Sequence, residues 1–350
     1  MSTEKRNGNA PATAPWPQSD NDDGKTYGGM HTGTWVDALP AAWVPYIQLC
    51  RLSPPAPVFL IFLPHLYGAV HGAVARRATG MELLSVTAWL LLGSLFFSNA
   101  AHCWNDLVDA PVDRLVPRTR KRPIARGAIT RRAALIFMAS QAAAAALCLA
   151  PLPAVAAAYA APTVVGTAYY PFAKRQTPFP QLVLGFCLAW GIAVGSSAMG
   201  VDPLPLRLVP AALQQQGHLG TSSSVGGLCL IVACACWTVI YDTVYACLDV
   251  EEDKRLGLGS TAVLFGRHVK LVLALLLAVM LACLGGFGHL FAAGAPYYAV
   301  ALGGSALSLG AMLVFVDLAS GPSIWWWFTY GFWFTGGSMA VGLFYIYATM

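Results

Sequence analysis

Two stretches of the chain carry acids at spacings suited to holding a charged reactant: NDLVDAPVD from Asn105 to Asp113, and DTVYACLDVEED from Asp242 to Asp253. In the first, Asp106, Asp109 and Asp113 fall at i, i+3 and i+7, which at about 100° per residue brings them to one helical face. In the second, Asp242, Asp249 and Asp253 fall at i, i+7 and i+11 and also share a face. A single DxxxD is commonly a solvated helix end. Here it occurs twice, each time at the end of an apolar segment, where ionisable side chains are costly and usually functional. Converging carboxylates repel one another unless cations sit between them. Hard oxygen ligands suit Mg²⁺, which is held by one or two carboxylates, waters and substrate phosphates. The spacing therefore predicts a metal-assisted diphosphate site.

Basic residues accompany both clusters. Arg118, Arg120, Lys121, Arg122 and Arg126 follow the first, and Lys174 and Arg175 close the segment YPFAKR. The preference of Lys and Arg for the cytoplasmic side of a membrane explains their number but not their pairing with acids. An anion bridged by metal on one side and held by Arg or Lys on the other uses both.

The elements that must position these residues are membrane helices. The chain has 350 residues, 57% hydrophobic and 11% charged, with a mean hydropathy of +0.59, which excludes an ordinary soluble domain. Apolar windows of about 20 residues, each able to cross a hydrocarbon core roughly 30 Å thick, run approximately 54–76, 82–104, 131–150, 151–170, 178–200, 225–246, 270–292, 296–317 and 325–347. Backbone in lipid must satisfy its own hydrogen bonds, so the fold class is an all-α integral membrane protein, a bundle of about nine transmembrane helices. No β-barrel alternation is visible.

Residues 1–45 are dominated by Pro, Asn, Asp, Gly and Ser, a composition that predicts a disordered tail ahead of a membrane-embedded domain over 46–350. This tail reads as neither a mitochondrial transit peptide nor a signal peptide, since Lys5, Arg6 and Lys25 are outnumbered by Glu4, Asp20, Asp22, Asp23 and Asp37. With nine helices, the face carrying the N-terminal tail and the loops after helices 2, 4, 6 and 8 holds all 21 lysines and arginines except Arg76, Arg77 and Arg207. That bias predicts a cytosolic tail and cytosolic loops around Arg120 and Lys254, with 201–224 on the far side. Both acidic clusters end even-numbered helices and so share the cytosolic face. No nucleic acid is expected as a partner; the lipid bilayer is. Cys148, Cys187, Cys229, Cys234, Cys236 and Cys283 lie in apolar windows without metal-ligand spacing and read as small apolar residues. Trp325, Trp326 and Trp327 read as an interfacial belt.

NDLVDAPVD resembles the NDxxDxxxD motif, and DTVYACLDVEED the DxxYAxxDxxxD motif, of the UbiA superfamily of membrane-intrinsic prenyltransferases. RTRKRPIARG is similar to that family's Arg-rich segment and YPFAKR to its YPxxKR segment, so four motifs in family order span Asn105 to Asp253. The resemblance implies Mg²⁺ held by Asp106, Asp109, Asp113, Asp249 and Asp253, with Asn105 beside the first three. It places the diphosphate or acceptor near Arg51, Arg118, Arg122, Lys174 and Arg175. Asp242 and Tyr245 belong to the second motif and would orient ligands or help deprotonate the acceptor, and Lys174 would also take a catalytic part. The implied reaction is ionisation of an allylic diphosphate and attack on the cation by an electron-rich ring.

One departure bears on the substrate. Enzymes that prenylate 4-hydroxybenzoate for ubiquinone commonly read RxDKPIG where this chain has RLSPPAP from Arg51 to Pro57. The missing Asp-Lys pair makes the chain look more like the fungal branch that prenylates aromatic polyketides for meroterpenoids. Farnesyl diphosphate and a phenolic acid are then the expected substrates, in the endoplasmic reticulum with the site facing the cytosol. The alternatives are a 4-hydroxybenzoate polyprenyltransferase of the mitochondrial inner membrane and, from another class, a cation-coupled transporter. The transporter is opposed by the lack of an inverted repeat and by acids placed away from mid-membrane. A CDP-alcohol phosphotransferase would need a DGxxAR segment, absent near either cluster.

Overall fold

Thr79 starts the longest helix among the described residues with a capping box: its Oγ1 accepts from the Glu82 N–H at 3.3 Å while the Glu82 carboxylate accepts from the Thr79 N–H at 2.9 Å. This helix belongs to a computed structural model that describes residues 34–204 and 221–350. Among these residues nine long helical segments coincide with the nine apolar windows: α1 (Ala56–Arg76), α2 (Gly80–Asp113), α3 (Arg131–Leu147), α4 (Ala154–Gln176), α5 (Pro180–Ala198), α6 (Thr221–Ala246), α7 (Val269–Leu290), α8 (Ala295–Phe315) and α9 (Gly321–Thr349). Segments containing α1, α2, α5, α6, α7 and α8 are each long and apolar enough to cross a membrane by length and composition. Helix α3 has only 17 residues, and α4 and α9 are diluted by proline, tyrosine or tryptophan. The chain is a multi-pass integral membrane protein.

Two helices run past their apolar windows. The 34 residues of α2 rise about 51 Å at 1.5 Å each, well beyond a hydrocarbon core of about 30 Å. Its last turns, with Asp106 to Asp113, therefore continue as helix through Pro111 instead of ending near residue 104. Likewise α4 carries YPFAKR inside its last turns, ending at Gln176. After α6 a 3-10 turn (Cys247–Asp249) precedes a short helix (Val250–Leu256), so Asp242, Asp249 and Asp253 stand on three consecutive elements and not on one continuous helical face. Of the stretch read as a disordered tail, residues 1–33 lie outside the described residues, and Thr34–Asp37 and Val44–Leu49 are short helices. The loop 205–220 also lies outside them.

Helices α1 and α5 meet through two GxxxG pairs, Gly68 with Gly72 and Gly191 with Gly195. A Cβ on Gly195 would stand 2.1 Å from the backbone oxygen of His65, and one on Gly68 2.1 Å from that of Ile192. Neither helix can yield without breaking the fit. Gly195→Ala is therefore expected to cost about 1–3 kcal/mol or more, read as a lower melting temperature in detergent. A variant melting with the wild type would overturn this account of the α1–α5 contact. Beside that contact a buried core runs through Tyr67, Trp237, Met280, Phe287 and Phe332, and it leaves a cavity at the end of the bundle where α2, α4 and α6 finish.

Candidate active site

The cavity has a volume of about 300 Å³ and is walled by the starts of α1 and α5, the ends of α2, α4 and α6, the 114–130 loop, and α9. Asn105, Asp109 and Asp113 line it from α2, and Lys174 and Arg175 from α4. Asp242 and Tyr245 line it from α6, and Asp249 and Asp253 from the elements that follow. Arg51, Arg118 and Arg122 complete the polar end. The two acidic motifs, about 130 residues apart in sequence, thus face one space. Backbone and side-chain hydrogen bonds around the cavity tie these elements together. Gly259 N–H donates to Lys174 O at 2.7 Å, Thr261 N–H donates to Gln181 Oε1 at 2.9 Å, and the Thr243 and Thr261 hydroxyls bond at 2.7 Å.

Arginine and lysine compensate the acids. Arg118 forms a fork on Asp249, Nε to Oδ1 at 2.8 Å and a terminal nitrogen to Oδ2 at 2.6 Å. Its other terminal nitrogen donates to the Tyr245 hydroxyl at 3.2 Å, and its guanidinium carbon lies 5.6 Å from the centre of that ring. Arg122 donates to Asp113 at 3.0 Å and to Asp106 at 3.3 Å. Arg51, held at φ 54°, reaches Asp106 at 3.2 Å. Arg175 pairs with Asp109 at 3.1 Å, and Lys174 stands 3.9 Å from Asp253. Asn105 donates to Asp109 at 3.3 Å. Burial works against charge on Arg118 and Arg122. The neighbouring carboxylates, Asp249 for Arg118 and Asp106 with Asp113 for Arg122, outweigh that penalty and hold both above the ordinary arginine range.

Asp106 stands apart from the other expected site residues. It is buried behind the cavity wall, bonded to Arg51 and Arg122, and does not line the cavity. Sequence spacing places Asp106, Asp109 and Asp113 on one face but does not tell which side chain an arginine will cover.

The donor set suits a hard divalent cation. Among the described residues no three acids, histidines or cysteines converge to cage an ion by themselves. Mg²⁺ takes one or two carboxylates and completes its shell with phosphate and water, a demand that the carboxylates on the two walls of this cavity can meet. Asp253 Oδ2 is buried and accepts no hydrogen bond, so one carboxylate oxygen beside the cavity is an unused acceptor.

Several lining residues escaped the sequence reading. Trp325 and Phe328 of α9 form part of the wall, with Phe328 4.4 Å from the Tyr245 ring and Trp325 6.1 Å from Phe328, centre to centre. Trp325 therefore faces the cavity while Trp326 is half exposed, so the run is only partly an outward belt. Tyr170, Tyr241 and His102 also line the space, and Leu60, Ile61, Phe97, Leu184 and Leu188 give its apolar depth. The signal for the Trp325 and Phe328 pair was its i, i+3 spacing on one helical face.

Comparison with known proteins identifies the family and the fold. Residues 61–337 match the model of the UbiA prenyltransferase family. The chain is 33% identical over 280 residues to the prenyltransferase stbC of Stachybotrys bisbyi, covering 79% of this chain and 80% of that protein. It is 31% identical over 323 residues to the mitochondrial 4-hydroxybenzoate polyprenyltransferase of Saccharomyces cerevisiae, covering 90% and 78%. It is 31% identical to the DMOA farnesyltransferase nvfB of Aspergillus novofumigatus, covering 78% and 81%. A UbiA homologue from Archaeoglobus fulgidus, solved with GPP and Mg²⁺, shares the fold with a TM-score of 0.53 at 18% identity, covering 83% of this chain and 99% of that one.

Proposed function

The chain belongs to the UbiA prenyltransferase family, and we propose that it transfers a farnesyl group from farnesyl diphosphate to a phenolic acceptor, an aromatic polyketide acid, in the manner of meroterpenoid pathways. The observation that carries this is the single cavity whose polar end holds both acidic motifs and whose walls are aromatic and aliphatic. Mg²⁺, when bound there, would neutralise the charge that gathers on the departing diphosphate. Asp109 and Asp113 on one side, and Asp249 and Asp253 on the other, are the residues that would hold it. Arg118, Arg122, Lys174 and Arg175 now satisfy those acids, and they are also the donors within reach of diphosphate oxygens. The apolar walls keep water from the allylic cation, which water would otherwise capture.

The choice of acceptor rests on the segment Arg51 to Pro57. Pro54, Ala56 and Pro57 line the cavity, and Pro54 stands at the position where the RxDKPIG pattern places lysine. The wall there offers hydrocarbon instead of an ammonium, so the carboxylate of a phenolic acid would be met by Arg51, Arg118 or Arg122 on the same cavity, and the hydrocarbon would pack against the substituents that distinguish a polyketide ring from 4-hydroxybenzoate. Relatives of both branches are about equally similar, so sequence identity does not decide between them. Product analysis of membranes expressing the chain tests the reading. Farnesyl diphosphate with an orsellinic-type acid is expected to be turned over more efficiently than 4-hydroxybenzoate with a donor of six or more isoprene units. The reverse order would move the chain to the ubiquinone branch.

The positive charges that follow α2 and close α4 also support a cytosolic orientation of the site, which we place in the endoplasmic reticulum. An engineered glycosylation acceptor near Gln215 should be modified and one near Arg120 should not. Modification near Arg120 alone would reverse the orientation.

A further inference from the structure

We propose that His102 is the base that receives the phenolic proton of the acceptor, an inference that rests on the aromatic-acceptor reading above. The ring lines the cavity from α2, one turn before Asp106. Its Nδ1 lies 2.7 Å from the backbone oxygen of Ser98 and 3.3 Å from the Ser98 hydroxyl. A carbonyl oxygen can only accept, so Nδ1 carries the hydrogen and the neutral ring presents the lone pair of Nε2. Among the described residues Nε2 makes no hydrogen bond, and the ring that carries it is part of the cavity wall. An imidazole whose inner nitrogen is fixed by backbone and whose outer nitrogen faces a substrate space is oriented to accept a proton.

The chemistry balances as follows. The phenolic O–H donates to Nε2 and its proton passes there as the ring carbon attacks C1 of the prenyl group. The C1–O bond breaks and its electron pair leaves with the diphosphate. The new carbon–carbon bond leaves a dienone. Its ring proton departs to the diphosphate, and the imidazolium returns its own proton to the oxygen as aromaticity is restored. One proton is released per turnover, with diphosphate, and His102 ends as it began. An aprotic side chain at this position would leave the ring to attack as the neutral phenol, which is less nucleophilic than the phenoxide.

The test compares the full-length wild type, His102→Ala and His102→Gln in membranes, using a series of phenols of one shape whose O–H acidity is tuned by ring fluorine. The ratio of wild-type to variant kcat/KM cancels each ring's own nucleophilicity. For the least acidic phenol His102→Ala is expected to lose about 10²–10⁴-fold. The loss should shrink steadily along the series as the phenols become more acidic. An O-methylated acceptor, with no proton to give, should be used equally by wild type and His102→Ala. His102→Gln, which keeps a hydrogen-bond acceptor but is not a base, should recover acceptor KM without recovering kcat. Diphosphate release in the absence of acceptor should be the same for all three.

A loss that is constant across the series would make His102 a structural residue and overturn the proposal, as would no loss at all. A wild type that releases diphosphate but prenylates no phenol would instead overturn the aromatic-acceptor reading and take this inference with it.

Discussion

Asp249→Asn is expected to lower prenyl transfer by at least about 10²–10³-fold, the scale on which one preorganised electrostatic contact to developing charge acts, while the protein still inserts and folds as a bundle. Asp249 is held by both arms of the Arg118 fork. An amide offers only one oxygen to that fork and turns its own N–H groups against the other arm. The change removes a negative charge from the polar end of the cavity, where a divalent cation would need it. It removes no apolar packing, because Asp249 lies in the 3-10 turn beyond α6 and not in the core. Membranes washed with EDTA should lose activity in the same way and regain it with Mg²⁺ for the wild type only. Full turnover by washed wild-type membranes, or near wild-type turnover by Asp249→Asn, would sink the assignment of these acids to a metal-diphosphate site.

The sequence made the bundle legible because hydrocarbon imposes one solution on a long apolar segment. The nine windows became nine helical segments, and the errors lay at polar ends, where nothing in lipid forces a helix to stop. Helix α2 continues through NDLVDAPVD despite Pro111, and α4 likewise carries Lys174 and Arg175 in its last turn. The acids were legible as a cluster because spacing on a helix is arithmetic. Their partners were not, since Arg118 and Arg122 come from the turn-rich 114–130 loop, whose path no periodicity describes.

His102 shows the opposite failure. It stands four residues before Asp106, on the face shared by Asp106, Asp109 and Asp113, so the same arithmetic reaches it. Only the direction of its ring, set by the Ser98 carbonyl, required coordinates. Asp106 shares that face and yet is enclosed by Arg51 and Arg122. A common face therefore yields two roles: Asp106 fixes arginines, while Asp109 and Asp113 meet the cavity.

Arg122→Met should produce the larger effect on the fold itself. Arg122 bridges Asp106 and Asp113, whose side chains are 3% and 7% exposed. Removing the guanidinium leaves Arg51 for Asp106 but takes the ion-pair partner from Asp113. Breaking a buried pair in this one-sided way costs about 3–5 kcal/mol, because the remaining charge is left uncompensated. The melting temperature of the metal-free protein in detergent should fall accordingly. The deficit should narrow when Mg²⁺ and an unreactive diphosphate analogue are added, since a cation near Asp113 answers the same charge and binds only the folded state. Adding Asp113→Asn to Arg122→Met should restore stability without metal, because no naked carboxylate then remains, and yet leave the enzyme inactive. A single variant that melts with the wild type, or a double variant no more stable than the single one, would mean that the Arg122 bridge carries little of the fold's stability and that the acids of α2 are screened by solvent at the cavity mouth.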